Sequence, residues 1–399
     1  MLNTGVFAAV VETAITRPNE ITKHFIDAVN KSKTNLGLSY AKKGVSVMIK
    51  ECFPEELSIR LSGRTLYRDK TLYLLHAASY IEFEFTGKLL EADMESEGGG
   101  EDFQAWIGIY VNDMDNAYQR IHLKKGKHRY RLWESSRTGK VLIRIVKLSE
   151  NQYAYTAINK FILDENACIQ KTAAKKKRVE FIGDSITCGF GNEGNPGDLF
   201  TTETENPLKA YGALTAGKLD CDFTIVAWSG IGIISSWIPP EVEEPNEGML
   251  VPMVYPYVDY GLFGKKGWIP NEKYDYERDN CDAIVVNLGT NDASYTRDNE
   301  IRKQAFFEAY QKFIRYLRLT HRKKAIICTS GAMTDLLDHE IQAAVEALRK
   351  EEHDSLLYYM KFGKPDAEDG EGAVGHPSMI QHEKMAEQLS AWIKEMGIL

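Results

Sequence analysis

Phe181-Ile182-Gly183-Asp184-Ser185-Ile186-Thr187-Cys188-Gly189 decides how the second half of this chain reads. Residues 179–182 form a short apolar run of strand character, after which the chain must turn sharply. Gly183 has no Cβ, so it takes the backbone angles of a tight strand-to-helix turn at little steric cost. Ser185 is thereby expected at the C-terminal edge of a sheet, where open α/β sheets bind their ligands. Its N–H would open the next helix, where donors are left unpaired. A serine oxygen is a weak nucleophile until a base takes its proton and donors hold the oxyanion. Chemistry at Ser185 therefore needs partners from elsewhere in the chain.

Three further blocks have the same shape. Residues 284–288 are a β-branched run ending in Gly289-Thr290-Asn291-Asp292, and Asn291 offers a side-chain amide to a developing negative charge. Residues 224–227 lead into Trp228-Ser229-Gly230-Ile231-Gly232, a small-residue turn with a backbone N–H available at Gly230 or Gly232. Gly375-His376-Pro377-Ser378 puts a histidine in a loop just before a helix that Pro377 can start. Taken singly each is ordinary: Gly-Asp-Ser is a common turn, Asn291 closes turns on its own backbone, and Trp228 suits a core. Their order is not. Each follows a strand or precedes a helix, so one sheet edge collects all four.

With these blocks the chain resembles the SGNH (GDSL-type) hydrolases, esterases and lipases on a flavodoxin-like three-layer α/β/α sandwich. The strings from Gly183 to Gly189, Ser229-Gly230-Ile231-Gly232 and Gly375-His376-Pro377-Ser378 resemble carbohydrate esterase family 2 in particular. Members of that family remove acetyl groups from xylan and glucomannan sugars and carry an N-terminal β-sandwich. The resemblance implies that Ser185 is the nucleophile and His376 the general base and acid. It also implies an oxyanion hole made by the N–H groups of Ser185 and Gly230 and the amide of Asn291. Asp184, Trp228, Gly232, Asp292 and Trp268 are further candidates for the pocket.

One position departs from the wider superfamily, which carries an aspartate three residues before the histidine. Here that residue is Ala373, which cannot accept the Nδ1 proton of His376. A Ser–His dyad with a backbone carbonyl in the orienting role is the favoured reading. Asp369 or Asp366, in the acidic stretch 366–372, is the alternative orienter.

Other motifs lead nowhere. Gly189-Phe190-Gly191-Asn192-Glu193-Gly194 matches G-x-G-x-x-G, but Gly183 already occupies the strand end and a loop soon follows, so no dinucleotide cofactor is expected. No G-x-S-x-G elbow surrounds Ser185. There is no H-E-x-x-H, and His376 and His382 are six positions apart, so no metal is expected.

Composition sets the outer bounds. With 399 residues, 43% hydrophobic and 27% charged, the chain reads as a soluble globular protein of two or three domains. A formal net charge of -8 argues against nucleic acid as a partner. The basic run Lys175-Lys176-Lys177-Arg178 reads as a solvated linker. Six cysteines at 52, 168, 188, 221, 281 and 328 include no C-x-x-C; those at 188, 221, 281 and 328 border apolar runs, as buried free thiols do. The first twelve residues lack a positive n-region and are interrupted by Glu12, a poor signal peptide. No run approaches the roughly 18 apolar residues of a membrane span. The expected location is cytoplasmic, with no membrane partner.

Along the chain, residues 1–45 form an extension with an amphipathic helix over 21–31. Residues 46–170 are expected as an antiparallel, jelly-roll-like β-sandwich, with short strands at 71–75, 80–85, 106–111 and 141–146. Thr86-Gly87-Lys88, Asn112-Asp113, Lys125-Gly126-Lys127 and Thr138-Gly139-Lys140 read as their turns, and Ile81, Phe83 and Phe85 alternate with Glu82 and Glu84 as in a half-exposed strand. Residues 175–399 are the hydrolase domain, with strands at 179–182, 223–227, 283–288, 325–329 and 356–360 and helices at 207–218, 299–319, 335–350 and 377–395. An insertion at 237–280, rich in Pro, Tyr and Trp, is placed to shape the pocket.

The function expected is a carbohydrate O-acetyl esterase acting on xylan- or glucomannan-derived oligosaccharides. An SGNH esterase or thioesterase for a non-sugar acyl ester is the alternative enzyme. A carbohydrate-binding protein with decayed catalysis is the alternative class, against which the retained Ser185, Asn291 and His376 count. A homo-oligomer is compatible with all three.

Overall fold

The computed structural model describes residues 48–268, 271–278, 280–364 and 366–399, so the helix expected over 21–31 lies outside the described residues. The first part is antiparallel: β1 Ile49–Cys52, β2 Arg60–Ser62, β3 Thr65–Arg68, β4 Thr71–Leu74, β5 Tyr80–Gly98, β6 Trp106–Val111, β7 Gln119–His122, β8 Gly126–Lys147, β9 Ala154–Asp164 and β10 Cys168–Lys171. They form one ladder in the order β3-β4-β9-β5-β8-β6-β7, with β1 on β9 and both β2 and β10 on β5.

Two expected turns, at Gly87 and Gly139, are instead interior to β5 and β8. The two glycines face each other and the register slips between Gly87 and Leu89, so two long strands bend where short ones were expected. A Cβ on Gly87 would stand 2.7 Å from Asp164 Oδ1. That oxygen accepts the N–H groups of Lys88 and Leu89 at the bulge, at 2.7 and 3.0 Å. Ile81, Phe83 and Phe85 face a closed core with Ile107, Ile145 and Phe161.

Glu82 is not on an exposed face. It is buried beneath Arg60, Arg144 and Thr172, which donate to its carboxylate at 2.6–2.8 Å. Arg60 also contacts Asp222 of the parallel half, and Ser62 donates to Phe223 O at 3.0 Å. A buried carboxylate is tolerable only when paired in this way, and the pairing joins the two halves. Residues Ile49–Leu399 form one compact unit.

The second half is a parallel sheet of β11 Arg178–Gly183, β12 Asp222–Ala227, β13 Ala283–Asn287, β14 Ala325–Ser330 and β15 Leu357–Lys361, in the order β12-β11-β13-β14-β15. The helices are α1 Ser185–Cys188, α2 Tyr211–Lys218, α3 Val251–Val254, α4 Tyr260–Lys266, α5 Thr290–Thr296, α6 Glu300–Thr320, α7 Asp338–Glu351 and α8 Met379–Glu395. Strands covered on both faces read as near-continuous apolar runs. Phe181, Ile225, Val285 and Ile327 pack toward Ala216, Leu389 and Ile393 of α2 and α8. Ile182, Val226, Ile284 and Val286 pack toward Phe306, Phe313, Ile341 and Leu348 of α6 and α7.

Two helix starts differ from expectation. The helix expected at 207–218 is broken by extended backbone at Ala210, and the Tyr211 N–H goes to His382 Nδ1 at 3.2 Å. Pro377 does not open the last helix. Ser378 caps it, its hydroxyl accepting the Gln381 N–H while Gln381 Oε1 accepts the Ser378 N–H.

Candidate active site

β11, β12 and β13 end level with one another, since Gly183 is in register with both Ala227 and Asn287. The three blocks that follow them therefore emerge side by side. Gly183 is needed here for space and not for an unusual backbone angle: a Cβ would stand 2.0 Å from Thr187 Oγ1 of α1. Asp184 caps α1 by accepting the Ile186 N–H at 3.1 Å, which places Ser185 at the first helical position. The Ser185 and Gly230 N–H groups have no protein partner among the described residues.

His376 Nε2 lies 2.9 Å from Ser185 Oγ, and its Nδ1 faces the Val374 carbonyl at 3.3 Å. A carbonyl only accepts, so Nδ1 carries the proton and Nε2 is the free base for the Ser185 hydroxyl. The carbonyl is aimed by Val374, a β-branched residue held at φ 55°, in the left-handed region. Phe190 packs on the imidazole with 4.4 Å between centroids and stacks on Phe200 at 3.6 Å. Burial lowers the His376 pKa, opposed by the carbonyls of Val374 and Ala373.

Asp369 does not orient the histidine. Its carboxylate meets Lys384 at 2.7 Å and the Asp366 N–H at 3.3 Å, and Asp366 likewise pairs with Lys384. Ala373 explains why no acid stands there. It is fully buried, and a Cβ on Gly191 or Gly194 would come within 2.8 and 2.9 Å of its methyl. The Ala373 N–H donates to Gly191 O at 2.9 Å. The G-x-G-x-x-G string thus seats the histidine loop, with its glycines leaving room for a methyl and no more.

The Gly289-Thr290-Asn291-Asp292 block clamps the turn after β12. Asn291 Nδ2 donates to Ile231 O at 2.8 Å and to Asp184 Oδ2 at 3.2 Å. Both amide hydrogens are thus engaged, and donation to an oxyanion would exchange the longer bond. The buried Asp292 carboxylate collects the N–H groups of Ile233, Ile234 and Ser235 at 2.7–3.2 Å. Gly232 is obligatory beneath it, since a Cβ there would stand 2.0 Å from Ser235 O. Burial raises Asp184 to about 7, assisted by the charge of Asp292, and raises Asp292 to about 6 against its three N–H donors.

Beside this turn lies a cavity of about 410 Å³, lined by Trp228, Gly230, Trp237, Asn246, Met249 and Gln152 among others. Trp228 is a wall of it and stacks behind on His76, 5.7 Å away. Trp237 is 56% exposed at the cavity. Trp268, expected at the pocket, is elsewhere: it packs edge-on to Tyr73 at 5.4 Å, with Arg68 over its ring at 4.1 Å. Much of the insertion, including Leu262 and Phe263, packs against Tyr73 and Tyr155 of the antiparallel half.

Sequence reasoning missed Glu150 and Gln152, which reach the turn from the loop between β8 and β9 and belong to no motif. Among the described residues, two buried groups offer metal-ligand atoms within 4.8 Å of one another, Glu180–Cys281–His321 and Glu150–Cys188–Glu205. In the first the Tyr255 hydroxyl already bridges Glu180 and His321; in the second Glu150 is engaged by Ser229 and Gln152.

Residues 61–172 match the family described as Carbohydrate esterase 2 N-terminal. The cellulase/esterase CelE of Acetivibrio thermocellus is 29% identical over 80% of this chain, which spans 37% of that protein. An acetylxylan esterase / glucomannan deacetylase of Cellvibrio japonicus is 32% identical over 62% of this chain and 64% of its own length. The solved structure of a family two carbohydrate esterase from Clostridium thermocellum, in complex with cellohexaose, superposes with a TM-score of 0.75 at 26% identity, covering 86% of this chain and all of that one. Over most of its length the chain is similar to carbohydrate esterases of family 2. In this fold the serine, the histidine and the Asn-Asp clamp come from the parallel half. Gln152 alone of the six cavity residues named above comes from the antiparallel half.

Proposed function

We propose that this chain is a carbohydrate O-acetyl esterase that works with a Ser185–His376 dyad on acetylated xylan- or glucomannan-derived oligosaccharides. The observation that carries the reading is the 2.9 Å Ser185 Oγ–His376 Nε2 contact, with Nδ1 turned to a backbone carbonyl. Ser185 Oγ attacks the acetyl carbonyl carbon and its proton passes to Nε2. The carbonyl oxygen becomes an oxyanion held by the N–H groups of Ser185 and Gly230, with Asn291 exchanging its bond to Asp184 for one to the oxyanion. Collapse breaks the ester C–O bond, and His376 returns the proton to the departing sugar oxygen. Water, deprotonated by the same nitrogen, then attacks the acetyl-serine and releases acetate.

The cavity beside Gly230 supports a sugar as the alcohol side of the ester. Trp237 offers an exposed ring face, and Gln152 and Asn246 offer polar groups. The related structure's complex with cellohexaose supports an oligosaccharide as the ligand. The six cysteines are free thiols, four of them buried, which supports a reducing compartment and so the cytoplasm; fractionation of the source cells checks that. Acetate release from acetylated xylo-oligosaccharides tests the activity. Ser185→Ala is expected to abolish it with the melting temperature unchanged, and retained turnover would sink the assignment.

A further inference from the structure

The Ser229–Gly230 peptide is held from the antiparallel half. Ser229 N–H donates to Glu150 Oε2 at 2.7 Å and the Ser229 hydroxyl contacts Glu150 Oε1. Gln152 Nε2 donates both to Glu150 Oε2 at 2.8 Å and to Ser229 O at 3.2 Å. A trans peptide is planar, so the direction of the Ser229 C=O fixes the opposite direction of the Gly230 N–H. Sterics do not supply this constraint: Gly230 has φ +80° and open space where a Cβ would be. On the far side the Gly230 C=O, in the next peptide, accepts the Trp237 N–H at 2.8 Å. The Ser229–Gly230 plane is therefore held directly by Gln152, while Glu150 anchors Gln152 and, through the Ser229 N–H and hydroxyl, the residue that carries the plane.

We infer that Glu150, acting with Gln152, is a positioning residue that locks the Ser229–Gly230 peptide so that the Gly230 N–H faces the oxyanion. This rests on the reading of Ser185 as nucleophile and Gly230 as oxyanion donor. It gives the antiparallel half a part in the chemistry that is separate from any sugar binding. Glu150 is wholly buried; it acts through Gln152 and through the Ser229 N–H and hydroxyl.

The test uses the full chain and phenyl acetate, which has no sugar to contact Gln152. Rates are expressed per active site titrated with an aryl phosphonate, so that misfolded protein does not count. Loss of one oxyanion donor costs roughly 10²–10³ in kcat. Glu150→Ala, which loosens the donor without deleting it, is expected to lower kcat roughly 10- to 100-fold with KM unchanged. Glu150→Gln is expected to restore most of that, because its carbonyl accepts the Ser229 N–H while its amide donates to the Ser229 hydroxyl, which can also accept. Gln152→Ala is expected to lower kcat about tenfold, and it decides the matter alone where Glu150→Ala does not fold. If Ser185→Ala is inactive while the folded Glu150 and Gln152 variants keep the parent kcat, the positioning role is wrong and the dyad stands. If Ser185→Ala remains active, the dyad reading falls and the positioning role falls with it.

Discussion

Replacing Ala373 by aspartate recreates the residue that the wider SGNH superfamily carries three positions before its histidine. Sequence logic would forecast a better catalyst. The geometry forecasts the reverse. The Ala373 methyl is fully buried, and the positions a Cβ would take on Gly191 and Gly194 are only 2.8 and 2.9 Å from it. Carbon atoms prefer about 3.5–4.0 Å, so a carboxylate built onto this methyl has no free direction on that side. Overpacking a filled site costs about 1–3 kcal/mol, and an unpaired buried carboxylate adds several more. A total of about 3–6 kcal/mol is a large share of the roughly 5–15 kcal/mol that holds a typical domain together. Ala373→Asp should lower the melting temperature by on the order of 5–10 °C. It should also lower kcat for acetyl esters, because moving this loop moves the Val374 carbonyl from Nδ1. Calorimetry with steady-state kinetics on the folded fraction checks both. A variant as stable as the parent, with a higher kcat, would refute the packing argument.

Three shorter predictions concern the same site. Asn291→Ala should lower kcat roughly 10²–10³-fold if its amide reaches the oxyanion, and a change confined to KM would argue against that role. Burial lowers the His376 pKa below its ordinary 6.5. Since the neutral imidazole is the base, kcat/KM should rise with pH through an apparent pKa below 6.5, and an acidic limb at or above that value would contradict the environment described. Trp237→Ala should raise KM for an acetylated xylo-oligosaccharide roughly 5–30-fold, about 1–2 kcal/mol of lost ring contact, and leave phenyl acetate unaffected. Equal effects on both substrates would remove Trp237 from the sugar side.

How much of this was legible in the chain depended on whether the determining contacts were local. The strands of the parallel sheet were readable because burial on both faces demands apolar runs, and each ends in a small-residue turn. Ser185, Gly230 and Asn291 were readable as candidates because they sit in those turns, and His376 because it stands in a loop just before the last helix. The lengths of β5 and β8 were not. Gly87 and Gly139 look like turns locally, and only their pairing across the ladder, with Asp164 serving the bulge, lets the strands run on. Glu82 looked exposed for the same reason: its three donors come from distant segments.

The sequence by itself determined the order of the blocks and hence which edge of the sheet carries the chemistry, because a strand followed by a tight turn is a local property. Tertiary structure alone decided what holds the site. It seats Ala373 against two glycines, turns Asp369 to Lys384, moves Trp268 away from the cavity and brings Glu150 behind the Gly230 turn. Each of these joins residues from 15 to 195 positions apart, and packing at that range leaves no periodicity or spacing in the chain to read.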